Sequence, residues 1–522
     1  MLEAELRPPA RRRTFGRIEQ NRGVAPRFCS SMTVSAGSVG GVPAPDPAAV
    51  LAQLTDSWES SVVPTISEYI AVPALSPAFD AEWATTGHID AVVDLALTWA
   101  RPRLVAIDSA ATLAIHRLPG RTPLIFGEVP ATAGADPAAG TVLIYGHLDK
   151  QPEMVGWREG LSAWKPVRDG DVLYGRGGAD DGYAIFSAVT ALEALTDAGG
   201  EHGRIVIVIE ACEESGSPDL PAHLQALADR IGDVRLVIGL DSGAGSYDRL
   251  WITDSLRGLV GGTLSVDVLT EGVHSGNAGG IVPSSFRILR QLLSRVEDPM
   301  TGEILVPELR VDVPPSVRDA VSRTIASGPG ADIAAGFPWA GGTHPPIDDP
   351  VELTLLRNWG SSLSVTGMDG IPPVSAAGNV LRPRTSAHLS FRVPPTADAT
   401  AAAAAVKTIF EADPPDGAVV TFSGAEAASG WAAKQPAPWL SAALDAASVS
   451  AFGLPAAWRG EGGTIPFMGM LGAAFPEAEF VITGVLGPKS NAHGPNEFLH
   501  IPCAIRVTAA VVDVLHAHAA AG

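Results

Sequence analysis

The stretch EACEESGS (210–217) places two neighbouring acids, Glu213 and Glu214, directly after the aliphatic run IVIVI. One acid at a strand end caps a helix or faces water; two can divide the work, one holding a cation and the other moving a proton. Similar residues recur at comparable places. His147 and Asp149 follow TVLIY, Asp180 and Asp181 sit in a glycine-rich turn, Asp241 follows LVIGL, and His493 lies in SNAHGPNE after EFVIT. A lone His-x-Asp, an acid pair or two adjacent aspartates is commonly a hydrogen-bonded pair, a solvated cap or a turn. Their shared position at strand ends is the stronger signal, because sheets covered on both faces carry their sites there. Mixed imidazole and carboxylate donors suit zinc, cobalt or manganese better than calcium or magnesium.

The elements that must position these residues are legible in outline. Asp46-Pro47 starts a helical stretch, and 89–101 forms a second helix. Compact apolar strands are expected at 141–145, 204–210, 235–241 and 479–483, with helices at 181–197, 439–453 and 503–520. Alternating strands and helices predict an α/β sheet covered on both faces. After Arg257 the pattern changes to the period-two alternation of GGTLSVDVLTEGVHSG. A helix at 284–296, a long Pro/Gly-rich stretch over 305–350, strands at 351–357 and 386–393, a helix over AAAAAVKTIFEA and a last strand GAVVTF complete a smaller α+β unit, and 423–438 reads as a linker. The expected organisation is an N-terminal flexible extension over 1–45, a catalytic domain over 46–256, an inserted domain over 257–425, and a return to the catalytic domain over 426–522.

Composition narrows the function. The 522 residues carry a formal charge of −21 and are 46% hydrophobic, which predicts several folded domains and argues against nucleic acid or an anionic membrane as partner. No apolar run reads as a membrane span. The three cysteines, Cys29, Cys212 and Cys503, form neither a disulfide framework nor a CxxC pair, so a cytoplasmic setting is expected. The basic segment RPPARRRTFGR is followed by no apolar signal core, and Met32 offers an alternative start. GRGGADDG lacks the order of a dinucleotide or P-loop motif, and no GxSxG elbow is present.

With YGHLDKQPE (145–153), LYGRGGADDG (173–182), EACEESGS, GLDSG (239–243), HSGNAGG (274–280), SFRVPP (390–395), GGTIP (462–466) and NAHGPNE (491–497) in this order, the chain resembles the dinuclear zinc metallopeptidases that include carnosinase-like dipeptidases, aminoacylase and desuccinylases. YGHLDKQPE leans toward the carnosinase-like branch. The resemblance implies an α/β/α catalytic domain with a mixed, mostly parallel sheet, interrupted by a two-layer, ferredoxin-like lid or dimerisation domain. It implies two zinc ions per subunit, with manganese or cobalt as alternatives: His147, Asp180 and Asp241 on one, and Asp180, Glu214 and His493 on the other, Asp180 bridging. Three carboxylates against two divalent ions leave one positive charge, which a bridging hydroxide neutralises. Glu213 becomes the general base, Asp149 orients His147, and His274 polarises the scissile carbonyl, often in the partner's site, which implies a homodimer through the inserted domain. Arg392, with Gly462, Gly463 and Thr464, becomes the grip on a substrate carboxylate. Relatives usually continue the bridging Asp with a residue and then Lys-Gly; here Asp181-Gly182-Tyr183 follows, and Lys150 is the nearest candidate to restore the lost charge. The resulting expectation is a dipeptidase or related exopeptidase, with an N-acyl-amino-acid amidohydrolase and a non-catalytic binding relative as alternatives.

Overall fold

The computed structural model describes residues 44–328, 333–334, 337–463 and 466–521. The expected N-terminal extension, up to residue 43, and Thr464 lie outside the described residues.

The catalytic sheet has six strands in the order Thr112–His116, Leu124–Val129, Arg204–Glu210, Thr141–His147, Val234–Gly239 and Glu479–Ile482. The last four run parallel, and Leu124–Val129 is antiparallel to both of its neighbours. The parallel strands are runs of Val and Ile because helices cover both faces, leaving no solvated side for polar residues. On one face, helices Ala184–Asp197, Ile501–His518 and Pro438–Phe452 pack together. On the other, helix Leu220–Ile231 and residues Phe467, Met468 and Leu471 close over Tyr145, Val206 and Val237. Helix Ile501–His518 is long and apolar enough to cross a membrane by composition alone, but most of it is buried in this core. The first helix, Pro47–Ser57, starts where expected: Asp46 accepts the N–H of Ala48 at 3.1 Å, and Pro47 occupies the first turn.

The register levels the strand ends. His147 pairs with Glu210, and Gly239 lies opposite both Tyr145 and Ile482. Residues just beyond these ends therefore emerge side by side along one edge of the sheet.

The chain leaves this sheet through Trp251–Leu256 and enters a second, four-stranded antiparallel sheet ordered Ser362–Asp369, Arg384–Val393, Gly258–Asp267 and Val419–Ala428. Helices Ser285–Leu293 and Ala399–Glu411 pack on it through Ile288, Leu292, Val406 and Phe410. With its β-α-β-β-α-β order this is the ferredoxin-like two-layer arrangement. The inserted unit thus has its own apolar core, separate from that of the catalytic sheet.

Three local expectations are overturned. Residues 351–357 are not a strand but part of helix Pro350–Trp359. Asp349 accepts the N–H groups of Val351 and Glu352 at 2.8 and 3.1 Å, Pro350 takes the first turn, and Leu355 and Trp359 are buried one turn apart. The Asp-Pro start outweighs the apparent alternation of VELTL. The Pro/Gly-rich stretch also contains helix Pro315–Ala326, which packs against Pro350–Trp359 and strand Ala457–Glu461. The expected linker is partly strand, since Val419–Ala428 continues to pair with Gly258–Asp267 and Trp431–Ala432 pairs with Trp251–Leu256.

Candidate metal centre

His147 ends its strand with both ring nitrogens engaged in different ways. Nδ1 lies 3.1 Å from the Asp149 carbonyl oxygen and 3.5 Å from its carboxylate. Nε2 is buried, makes no hydrogen bond, and faces Asp180, Asp241 and Glu213 at 3.4, 3.8 and 3.9 Å. A buried nitrogen aimed at three carboxylates is the environment a cation would satisfy. His493 Nε2 lies 3.0 Å from Asp180 Oδ2 and 3.3 Å from Glu214 Oε2. The ligand atoms of His147, Asp180 and Asp241 lie within 4.8 Å of one another, and so do those of Asp180, Glu214 and His493. Asp180 belongs to both triads, one oxygen toward each histidine. The donor chemistry, two imidazoles and three carboxylates, fits a pair of divalent ions of the zinc type.

Asp149 joins this cluster from behind. Its two oxygens accept the backbone N–H groups of Glu213 and Glu214, each at 3.0 Å, which fixes the short turn that presents both side chains. Gln151 Nε2 donates to Glu214 Oε2 at 2.6 Å. Below, Glu210 accepts from Tyr145 and Ser217 at 2.5 and 2.8 Å. Asp181 turns inward and accepts the N–H of His147 at 3.3 Å. Gly182 is required by packing: a Cβ there would lie 2.2 Å from the Tyr69 ring and 2.7 Å from the Gly177 carbonyl. Tyr183 is fully buried and donates to the Leu240 carbonyl. Lys150 does not restore the missing charge at the metals. Its ammonium donates to the carbonyls of Tyr69 and Val72 at 2.6 and 2.8 Å and sits over the Tyr69 ring.

The loop carrying His493 is held by a buried ion pair that sequence inspection missed. Arg176 donates to Glu497 and to the Gly494 carbonyl, while Glu497 accepts the N–H of Gly177 at 2.9 Å. His493 itself has φ +63°, so tertiary contacts hold it in the left-handed region.

The electrostatics show a site crowded with negative charge. Burial pushes Glu214 to about 8, with Asp180 adding to it. Burial also raises Asp241 to about 7, and burial and Asp241 hold Glu213 well above the carboxylate range. Asp180 goes the other way: burial opposes its charge, but His147 and His493 hold it below the usual range. Burial disfavours the His493 cation, yet Asp180 and Glu214 lift the ring to about 9. Protons thus do here what divalent cations do better, neutralising carboxylates that cannot all ionise together.

A cleft of about 580 Å³ opens over the cluster, lined by Asp180, Glu213, Glu214, Asp241 and His493 together with Gly463, Arg459 and Glu461. The last two had no place in the sequence reading, although they directly precede the GGTIP segment. Gly462 stands at the margin, its carbonyl accepting from Arg257 at 3.1 Å. Arg392, half-buried on strand Arg384–Val393 opposite Leu259 and Ser362, and His274 are not among the residues lining this cleft. His274 is exposed on the inserted unit, where its ring accepts the N–H of Gly276 at 3.2 Å.

Two triads sharing one aspartate, on the carboxyl ends of a parallel sheet, define a dinuclear metallohydrolase. Residues 143–517 match the sequence profile of peptidase family M20/M25/M40, and the chain belongs to that family, as a metallopeptidase. It is similar to a cysteinylglycine-S-conjugate dipeptidase of Corynebacterium striatum, with 27% identity over 69% of this chain and 77% of the relative. It is also similar to the human Beta-Ala-His dipeptidase, with 28% identity over 68% of this chain and 69% of the relative. Among solved structures, the dipeptidase Dug1p of Saccharomyces cerevisiae superposes with a TM-score of 0.68 at 21% identity, covering 91% of this chain and 98% of that one. Human carnosine dipeptidase 1 superposes with a TM-score of 0.67 at 21% identity over 91% and 99%. These superpositions share the fold.

Proposed function

We propose that the protein cleaves the amide bond of dipeptides or short peptides on the amino side of a residue with a free carboxylate. The single observation that carries this reading is Asp180, shared by two ligand triads with Glu213 beside them in one cleft. His147, Asp180 and Asp241, with Asp180, Glu214 and His493, would hold two divalent ions, which when bound would supply Lewis-acid polarisation of the carbonyl and a water of lowered pKa. Glu213, lining the cleft beside the triads, would accept a proton from the attacking water and return it to the amine as the C–N bond breaks. Asp149 orients both His147 and the Glu213-Glu214 turn. Gly463 lines the cleft, and Arg392, which stands outside it, is proposed with Gly462 and Thr464 as the grip on the substrate carboxylate.

The deciding experiment is hydrolysis of a dipeptide panel, its C-terminally amidated counterparts and N-acyl-amino acids, with zinc, manganese or EDTA. Activity that needs metal and a free C-terminal carboxylate is expected; a metal-loaded protein inert on every member overturns the reading. We further propose a homodimer through the inserted unit, where Val365, Met368, Ile371 and Val380 are exposed around the edge strand Ser362–Asp369, and where His274 would serve the partner's site. A cytoplasmic location is likewise proposed, supported by Cys212 and Cys503, both unpaired and buried.

A further inference from the structure

The cleft contains an ion pair that the metal chemistry does not use. Arg459 and Glu461, both on strand Ala457–Glu461, line it together with Asp180, Asp241 and Glu213. Arg459 Nε lies 3.0 Å from Glu461 Oε1, and Arg459 Nη2 donates to Oε2 at 3.2 Å. Arg357, from helix Pro350–Trp359, approaches Oε2 at 3.5 Å. Oε1 accepts no well-aligned hydrogen bond, but it is sealed from solvent, so no substrate donor reaches it. It points at Gly243, two residues after Asp241, where a Cβ would come within 2.5 Å.

Oε1 of Glu461 is therefore withheld from a ligand, and Oε2 already accepts from Arg459 and faces Arg357. Two guanidiniums face this one carboxylate, and the three side chains are only 17–29% exposed, so the group carries an excess positive charge with little solvent to screen it. An ammonium entering beside Glu461 would meet an acid already held by Arg459 and faced by Arg357. A carboxylate would meet the guanidinium N–H groups of Arg459 that Glu461 does not take, the kind of donor carboxylates bind best.

We propose that Arg459 makes the cleft selective for substrates whose acyl portion carries a carboxylate, with Glu461 positioning the guanidinium rather than receiving a substrate ammonium. The inference rests on the hydrolase reading above. The carboxylate has two possible sources, the side chain of an acidic N-terminal residue or a dicarboxylic acyl group, and the test separates them.

The test compares matched pairs on the metal-loaded full chain: Glu-Ala against Gln-Ala, and N-succinyl-alanine against N-butyryl-alanine. The carboxylate member of at least one pair is expected to have a kcat/KM about tenfold or more higher, equivalent to ~1.4 kcal/mol. Preference in the first pair identifies a peptide substrate, and in the second an acyl-amino acid. Arg459→Met should bring the ratio close to one, and Arg459→Lys should keep part of it. A binding readout without turnover uses metal-loaded Glu213→Gln, in which Kd should favour the same member and lose that bias on adding Arg459→Met. Hydrolysis of both members with equal efficiency, or a preference that survives Arg459→Met, overturns the inference and leaves the hydrolase reading standing. No hydrolysis of any member removes both.

Discussion

Asp149 accepts the backbone N–H of Glu213 at 3.0 Å, tying the residue two after His147 to the turn that carries the proposed base. The other Asp149 oxygen takes the N–H of Glu214 at the same distance. An asparagine offers one acceptor where two are needed and would point an amide N–H₂ at an N–H. Asp149→Asn is expected to weaken metal binding by about 10–100-fold, the usual cost of losing a group that orients a ligand. Competition with a calibrated chelator measures it, and unchanged affinity would remove Asp149 from that role.

Glu213→Gln keeps the size of the side chain and removes its capacity to accept a proton. Turnover should fall by about 10²–10⁴-fold while both metals stay bound. Metal content by elemental analysis, taken alongside kcat, separates loss of the base from loss of the site.

The pH dependence of metal stabilisation follows from the raised carboxyls. Glu214 near 8 and Asp241 near 7 stand above the ordinary carboxylate value of about 4. Raised folded-state values mean that protonation stabilises the metal-free fold fully below pH ~4, and that this support is lost as pH rises through 7 to 8. His493, raised to about 9, loses its contribution in the same direction over a slightly higher range. The Tm of metal-free protein should therefore gain more from added zinc at pH 8 than at pH 5.5, as read by differential scanning fluorimetry across that range. An equal gain at both values contradicts the charge crowding described above.

Arg176 and Glu497 are both buried, and burial pushes Glu497 to about 7 despite its partner. Arg176→Met leaves that acid uncompensated and should cost about 3–5 kcal/mol in denaturant unfolding. Arg176→Met with Glu497→Leu should recover part of the loss. Because Glu497 sits four residues after His493, both variants should also bind metal more weakly than wild type.

The proposed homodimer gives His274 a second readout. If the imidazole serves the partner's cleft, His274→Ala and Glu213→Gln are each nearly inactive alone, yet mixing them restores a fraction of activity through heterodimers. Light scattering should give twice the chain mass; a monomer at assay concentration, or no complementation from confirmed heterodimers, rejects the assignment.

What the sequence determined by itself is local and periodic. The Val/Ile runs fixed the parallel strands because only a sheet covered on both faces leaves them no polar side, and the acids and histidines could be placed at strand ends by counting from those runs. Asp46-Pro47 announced a helix, but the equally readable Asp349-Pro350 was masked by an alternation that suggested a strand. The tertiary structure decided what depends on distant segments meeting. It levelled the strand ends so that Asp180 reaches both His147 and His493, separated by more than three hundred residues, and it turned Lys150 away toward the Tyr69 carbonyl. It also brought Arg357 from helix Pro350–Trp359 to Glu461, whose strand neighbour Arg459 already faces it. Strand register sets the first of these meetings and helix Pro350–Trp359 the last, and neither has a period that a single chain displays.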